Sequence, residues 1–487
     1  MAVLAWDELY IGGTWVPSTR SGRIEVENPA TEEIIGSVPD GTAADMRRAV
    51  DAARDAFDTG PWPRMEPAER ADLIDALAAA LTRRAARLAE TITGETGLPI
   101  TVVKPAHTHA AIATLGYYAR LIRVTPFEEE RPGARFPFRL RRLPTGVVAA
   151  IVPWNIPLLG ACAKIGPALA AGCTVVLKPS PETPLSACML AEAAHEAGLP
   201  PGVLNVVPAG REAGAALVAH PGVDKVTFTG STAAGKRIAV ACAERTARCS
   251  LELGGNAASI VLDDAPAGRV AAGAVGMGLV NNNGEACVVQ GRILVPRTRE
   301  KEIVEAIRAA AETVPPGDPA DPATLLGPMI TQAHRDRVLG YVGTGIEEGA
   351  VLVHGGRRPA GLERGWYVEP TVLSGVGNDM RVAREEIFGP VLTVIAYDGE
   401  EEAVAIANDT EYGLSGSVWS ADPERAAAVG TRIRAGSIYV NGAFRLDADA
   451  PFGGFKESGI GREGGPEALA EFLEPQSMFL PAEARDR

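Results

Sequence analysis

Cysteine is scarce: 487 residues contain six, Cys162, Cys173, Cys188, Cys242, Cys249 and Cys287. They show neither CxxC spacing nor the density of a disulfide framework, so reduced thiols and a cytoplasmic location are expected. Positive charge is in deficit, 47 Lys and Arg against 61 Asp and Glu, a formal net charge of −14. That balance offers no broad basic field to a nucleic-acid partner. No uninterrupted apolar run is long enough to span a bilayer, and the N-terminal MAVLAWDELYIGG has no basic region before an apolar stretch, so neither membrane attachment nor a secretory signal is expected. The six histidines are scattered. His107 and His109 form an HxH pair that no Cys or carboxylate cluster joins, and no metal site is expected.

The chain is too long for one ordinary core, so two or three domains are expected. Residues 41–121 read as helices with alanine-rich faces. From Gly146 the rhythm changes: GVVAAIV, CTVVLK, VLNVV, KVTFT and SLEL alternate with helical stretches near 157–171, 184–197, 211–219 and 232–244. Strands and helices alternating at this spacing predict a mostly parallel sheet covered on both faces, with ligands at the carboxyl ends of the strands. Those ends carry PWN, KPS, TGS and LGG. A second βα series follows Leu253, with ASIVL, a helix near 267–280, GRILV, a helix near 299–313, GPVLTVIAY, a helix near 401–408, and GSIYVN. Between 124 and 144 apolar and basic residues alternate around RPG, which predicts a β-hairpin leaving the domain body.

Each motif admits a chemical and a bland reading. FTGSTAAGKR (228–237) nearly matches a phosphate-binding loop, but Arg237 stands where a magnesium-binding hydroxyl is needed. A helix N-terminus facing a diphosphate and a plain βα turn both fit. Lys178 in LKPSPETP could hold ribose hydroxyls or sit in solvent. Asn155 in VPWNIP lies between prolines that fix the backbone; it is either a rigid oxyanion donor or a turn residue. Glu252 in LELGGN is either a general base beside apolar neighbours or a solvated strand end. Cys287 in NNNGEACVVQGR lies just past a Gly-containing polar turn, at the entrance to an apolar run; it is either a reactive thiol with access or a packed structural one. EEIFGPV (385–391) and APFGGFKESGIGRE (450–463) announce no chemistry alone.

Taken together, PWNIP, KPSPETP, FTGSTAAG, LELGGN, NNNGEAC, EEIFGPV, GSIYVN and PFGGFKESGIGRE resemble the NAD(P)-dependent aldehyde dehydrogenase superfamily, in the family's order and along nearly the whole chain. The resemblance implies an α/β fold with a Rossmann-type dinucleotide-binding domain (1–123 and 145–254), an α/β catalytic domain (255–456) and a small β oligomerisation element (124–144 and 474–487), in a homodimer or homotetramer. It implies oxidation of an aldehyde to the carboxylic acid through a cysteine thiohemiacetal and a thioester. Cys287 matches the nucleophile, Glu252 the base that activates water, and Asn155 the oxyanion donor, with Lys164 and Glu474 as a relay passing protons towards the base. Trp154, Lys178, Ser180, Gly230, Ser231, Glu386 and Phe388 match cofactor positions. Ile156, Leu159, Gly160, Ala163, Ala286, Val288, Phe444, Leu446 and Phe452 match the aldehyde tunnel, which Gly160 and Ala163 should leave wide and suited to medium-chain or aromatic aldehydes.

Three positions depart from the common pattern: Glu285 stands where many members have glutamine, Asn256 where many have lysine, and Pro181 where many NAD-preferring members have glutamate. The proline is expected to aim Glu182 along the next helix rather than at the ribose. Apart from Lys178 no extra cation is assigned to the site, Lys236 and Arg237 lying a turn into a helix. NAD is therefore expected, NADP remaining possible, with a gap within about 1.4–2.8 kcal/mol. A CoA-acylating semialdehyde dehydrogenase typically lacks a glutamate at the base position, and a non-catalytic relative would be expected to lose the nucleophile or the base. Both groups are present here.

Overall fold

The computed structural model describes residues 3–442, 445 and 447–479. Its larger sheet has eight strands. Five are parallel, in the spatial order Arg248–Glu252, Lys225–Thr229, Val147–Ile151, Thr174–Lys178, Leu204–Val206. Gly459–Ile460 runs antiparallel at one edge, and Leu9–Ile11 with Thr14–Val16 closes the other. The chain builds outward from Val147–Ile151 through Leu204–Val206, then returns to lay Lys225–Thr229 on the opposite side. The strand order therefore reverses between Val147–Ile151 and Lys225–Thr229, where a doubly wound sheet opens a crevice at its carboxyl ends.

The apolar runs seen in the sequence are what a sheet covered on both faces requires. Along Val147–Ile151 alternate side chains serve different layers. Val148 and Ala150 join Leu115, Tyr118, Ile165 and Leu169, whereas Val147, Ala149 and Ile151 join Met46, Val50, Val226 and Phe228.

A second sheet of seven strands carries Arg292–Pro296 at its centre, between Val391–Tyr397 and Ala258–Val261, with Ser415–Trp419 beyond the latter. All its pairings are parallel except that of Val351–His354 with Thr371–Ser374. The expected hairpin is present as Glu128–Arg131 and Phe138–Pro144, and Leu473–Phe479 adds a third antiparallel strand to it. Glu128 lies opposite Arg141 and Glu130 opposite Arg139, which explains the alternation of charge in this stretch.

Several elements were not anticipated. The N-terminal strands are too short and polar to show a period. The helix Gln332–Glu347 carries three glycines and few apolar residues. The helix near 267–280 is α only over Ala267–Val275, then widens into a π turn over Gly276–Val280. A second π segment spans Val103–His109. Among the described residues no helix is long and apolar enough to cross a membrane.

Candidate active site

The crevice at the strand reversal is a cavity of about 750 Å³, lined by Ile151–Trp154, Lys178, Ser180–Glu182 and Phe228–Ser231 among others. Its size suits a dinucleotide or a part of one. Ser231 caps the twelve-residue helix Thr232–Ala243, its side chain accepting from Ala234 N, so the helix N-terminus opens on the cavity as a diphosphate would need. Lys178 is buried, donates to the Pro179 carbonyl at 3.0 Å, and is lowered by burial to about 8. A buried amine with so little protein bonding fits ribose hydroxyls. Trp154, Lys178, Ser180, Gly230 and Ser231 thus share one cavity.

Two expectations about this wall change. Glu182 does not run off along the next helix: Ser180 Oγ donates to its carboxylate, and Glu182 lines the cavity. Arg237 and Arg211 line the cavity too, without a protein partner among the described residues, whereas Lys236 is drawn away to Glu457 at 2.7 Å. Arg211 opens the helix that follows Leu204–Val206, so the rule that ligands gather at strand ends could have found it.

Cys287 lies on the turn that follows the π segment. Asn282 and Asn283 have φ of 52° and 56°, a region that asparagine tolerates better than most residues. Their side chains tie the turn down. Asn282 Nδ2 donates to the Asn155 carbonyl at 2.9 Å, and Asn283 Nδ2 donates to Gly97 and Pro328. Asn155 is buried; its Nδ2 donates to the Glu285 carbonyl at 2.9 Å and has no other partner among the described residues. One amide hydrogen therefore orients the group, and the second is free to meet a substrate oxygen. Cys287 is half-buried, and its thiol is pushed up by burial, then by the nearby Glu386 and Glu252. Ala286, Val288 and Leu414 pack beside it, with Phe452 against them.

The glycines of LELGGN are required for close approach. A Cβ on Gly255 would stand 2.2 Å from the Cys287 carbonyl oxygen, and one on Gly254 2.6 Å from Glu386 Oε2. Glu386 accepts from Gly255 N at 2.9 Å and is raised by burial to about 7. Asn256 donates to the Ala383 and Glu385 carbonyls, so its amide joins LGGN to EEIFG. Phe388, at φ 62°, meets Trp154 edge-on at 5.4 Å between centroids. This contact links the Glu386 and Phe388 turn to the cavity wall. His334, not singled out in the sequence, completes the cluster at 5.5 Å from Trp154; it reaches the Phe388 carbonyl, and burial lowers it to about 4.

Glu252 ends the strand Arg248–Glu252. It is buried, and its Oε2 has no hydrogen-bond partner among the described residues. Burial and then the charge of Glu463 hold its carboxyl well above the usual range, against Lys164 and Arg462. The segment PFGGFKESGIGRE covers it. Ser458 Oγ donates to the Gly254 carbonyl and accepts from Gly413 N, Gly459–Ile460 pairs with Leu251 and Glu252, and Gly453 packs against the carboxylate. The relay expectation needs correction. Glu474 is on the outer strand Leu473–Phe479 in an ion pair with Arg248, far along the sheet edge from Glu252. Lys164 pairs instead with Glu463, at 2.5 Å. Glu463 was present in the quoted motif but, as one acid of several there, carried no distinguishing signal.

Ile156, Leu159 and Ala163 form a half-exposed stripe at the start of the helix Pro157–Ala171, whose other face is buried. Gly160 lies between them; a Cβ there would meet Ile156 at 3.4 Å. Phe444 and Leu446 lie outside the described residues.

Residues 15–478 match the model of the aldehyde dehydrogenase family. Geranial dehydrogenase of Castellaniella defragrans is 47% identical over 97% of this chain and 98% of its own. The solved structure of Mycobacterium tuberculosis aldehyde dehydrogenase complexed with NAD+ superimposes with a TM-score of 0.96 at 47% identity, covering 99% of both chains. A mutant of aldehyde dehydrogenase C from Pseudomonas syringae, complexed with NAD+ and octanal, gives 0.94 at 42% identity over 98% of this chain and 97% of that one.

The two charges flanking Glu252 set its ionisation in opposite directions, and were this carboxyl the base, which works only after losing its proton, activity should rise with pH through its pKa. Glu463→Gln removes a charge that raises this pKa and should move the acid limb of the pH–rate profile to lower pH. Lys164→Met removes a charge that lowers it and should move the limb to higher pH. Superimposable limbs in all three proteins would contradict this placement of the charges.

Proposed function

The chain belongs to the aldehyde dehydrogenase family and oxidises aldehydes to carboxylic acids with NAD+, and we propose that Cys287 is its nucleophile, Asn155 its oxyanion donor and Glu252 its general base. Two buried groups with unused hydrogen-bonding capacity support this reading: the second amide hydrogen of Asn155 and Oε2 of Glu252, in the same buried region as the Cys287 thiol.

Cys287 Sγ, as the thiolate, adds to the aldehyde carbon. A C–S bond forms and the carbonyl oxygen takes the negative charge, which the free Asn155 N–H and the Cys287 backbone N–H receive. Such a donor is worth about 3–4 kcal/mol of barrier. The nicotinamide, when bound, supplies the hydride acceptor that leaves an acyl thioester on Sγ. Glu252 takes a proton from water as the water oxygen attacks the thioester carbon. The C–S bond breaks and the acid is released. A carboxylate at this position favours water over CoA as acyl acceptor. Lys164 and Glu463 carry the proton onward.

On the cofactor wall, Lys178 and Ser180 hold the adenosine ribose, Gly230 and Ser231 the diphosphate, and Glu386, Phe388 and Trp154 the nicotinamide end. Arg211 and Arg237 let NADP+ be accepted, and Glu182 opposes it, leaving NAD+ preferred. The half-exposed stripe Ile156, Leu159 and Ala163, with the buried Gly160 between them and Ala286, Val288 and Phe452 beside it, forms a wide apolar tunnel. Medium-chain or aromatic aldehydes fit it, in keeping with the geranial and octanal named with two of the relatives. The hairpin and its C-terminal strand, with Phe136 and Phe479 exposed, would join subunits into a dimer or tetramer. Six free cysteines accord with a cytoplasmic setting.

Cys287→Ala should abolish oxidation while NAD+ binding persists. Glu252→Gln should give one burst of reduced cofactor, followed by slow turnover. Full turnover by the alanine variant, or an unchanged steady rate in the glutamine variant, would refute the respective assignment. Glu182→Gln should narrow the gap in kcat/KM between NAD+ and NADP+, by up to about tenfold for one lost repulsion; an unchanged ratio would show that this carboxylate does not face the ribose. Ala163→Trp should depress oxidation of octanal more than of acetaldehyde, and equal loss on both would show that this helix does not set the tunnel width.

A further inference from the structure

His107 is the inner member of the HxH pair, and the reaction as derived does not use it. The pair is split by the π segment Val103–His109: His107 is 2% exposed, whereas His109 faces solvent. Pro105 lies within this segment and has no N–H to give, and Ala110 N bonds back to the Pro105 carbonyl in the wider i→i+5 register. His107 Nε2 lies 2.7 Å from Asn282 Oδ1.

The direction of that bond follows from its neighbour. Asn282 Nδ2 donates to the Asn155 carbonyl, so the amide presents its oxygen to the imidazole, and Nε2 must carry the hydrogen. Nδ1 is then a bare acceptor, and it is buried with no partner among the described residues. Burial lowers the ring to about 4, which keeps it neutral at ordinary pH, and the bond to Asn282 selects this tautomer. The bonds run in one line: the His107 ring to the Asn282 side chain, Asn282 to the Asn155 backbone, and the Asn155 side chain to the Glu285 carbonyl, two residues before Cys287. Asn282 is held in the left-handed region at φ 52°. Its side chain is thus fixed between a ring on one element and a main-chain carbonyl on another.

We propose that His107 is a positioning residue for aldehyde oxidation, its Nε2–H fixing the Asn282 amide so that Asn155 keeps one hydrogen on Glu285 and the other free for the substrate oxygen. The proposal rests on Asn155 being the oxyanion donor. A donor displaced by about 1 Å can cost on the order of a hundredfold in rate, so the effect belongs in forming the tetrahedral adduct that precedes hydride transfer, and not in cofactor binding.

The experiment is a double-mutant cycle read in the pre-steady-state burst of reduced cofactor, with NAD+ affinity measured by quenching of tryptophan fluorescence. Asn155→Ala should slow the burst by roughly 10²–10³-fold. His107→Leu keeps bulk but removes the donor and should slow it by roughly 10–100-fold, with NAD+ affinity unchanged. His107→Gln offers an amide donor at nearly the reach of Nε2 and should restore most of the rate. The double variant His107→Leu/Asn155→Ala should be no slower than Asn155→Ala alone, because the two residues act through one hydrogen bond. Should the leucine variant not fold, His107→Asn, whose amide falls short of Asn282, takes its place against the glutamine variant. A donor-less variant as fast as the parent, losses that multiply in the double variant, or a glutamine variant as slow as the leucine one would overturn the role of His107 while leaving that of Asn155 standing. An Asn155→Ala burst as fast as the parent would instead overturn the oxyanion reading, and this proposal with it.

Discussion

The site depends on burying two ionisable groups that, in the reaction proposed above, change charge. Glu252 and Cys287 are both pushed towards their uncharged forms by burial. Bringing a buried charge into being costs several kcal/mol unless fixed partners compensate. The surrounding structure is arranged around that cost. Gly254 and Gly255 have no side chain because Glu386 and the Cys287 carbonyl lie where one would go. PFGGFKESGIGRE closes over the Glu252 carboxylate and is fastened by Ser458 to Gly254 and Gly413. Lys164 and Glu463 place one charge of each sign beside it, so that its ionisation is set by a balance rather than by a single partner.

The two sheets supply the rigidity this requires. Asn155 and Glu252 end strands of one sheet or the turns that leave them, whereas Cys287 hangs between the π turn and the strand Arg292–Pro296 of the other. The hydrogen bonds from Asn282 to Asn155 and from Asn155 to Glu285 cross between them. Groups from two bodies are thus held by short polar contacts whose other members are backbone atoms, which cannot drift as side chains do.

Much of the sheet was legible because a strand buried on both faces must be apolar throughout, and GVVAAIV, CTVVLK and KVTFT announce themselves by it. The edge strands near the N-terminus and the helix Gln332–Glu347 were not, since neither needs a strong apolar period. The same contrast holds for the site. Cys287, Glu252 and Asn155 each occupy a turn whose glycines or prolines mark it as special. Glu463, His334 and Arg237 are ordinary residues on ordinary elements, brought in only by tertiary folding. For the same reason the sequence does not separate Glu474 from Glu463 as the partner of Lys164: a lone acid near the C-terminus says nothing about which of two sheet edges it will occupy. Proline at 181 was read as steering Glu182 away, but the bond from Ser180 returns it to the cavity.

The central claim is that an acyl group passes through Cys287 and leaves only when Glu252 activates water. It is tested most directly by intact-protein mass spectrometry of Glu252→Gln after one turnover with NAD+ and octanal, followed by peptide mapping. The account predicts a protein heavier by one octanoyl group, placed on Cys287. An unmodified protein that has nonetheless formed reduced cofactor, or an acyl group on any other residue, would contradict it.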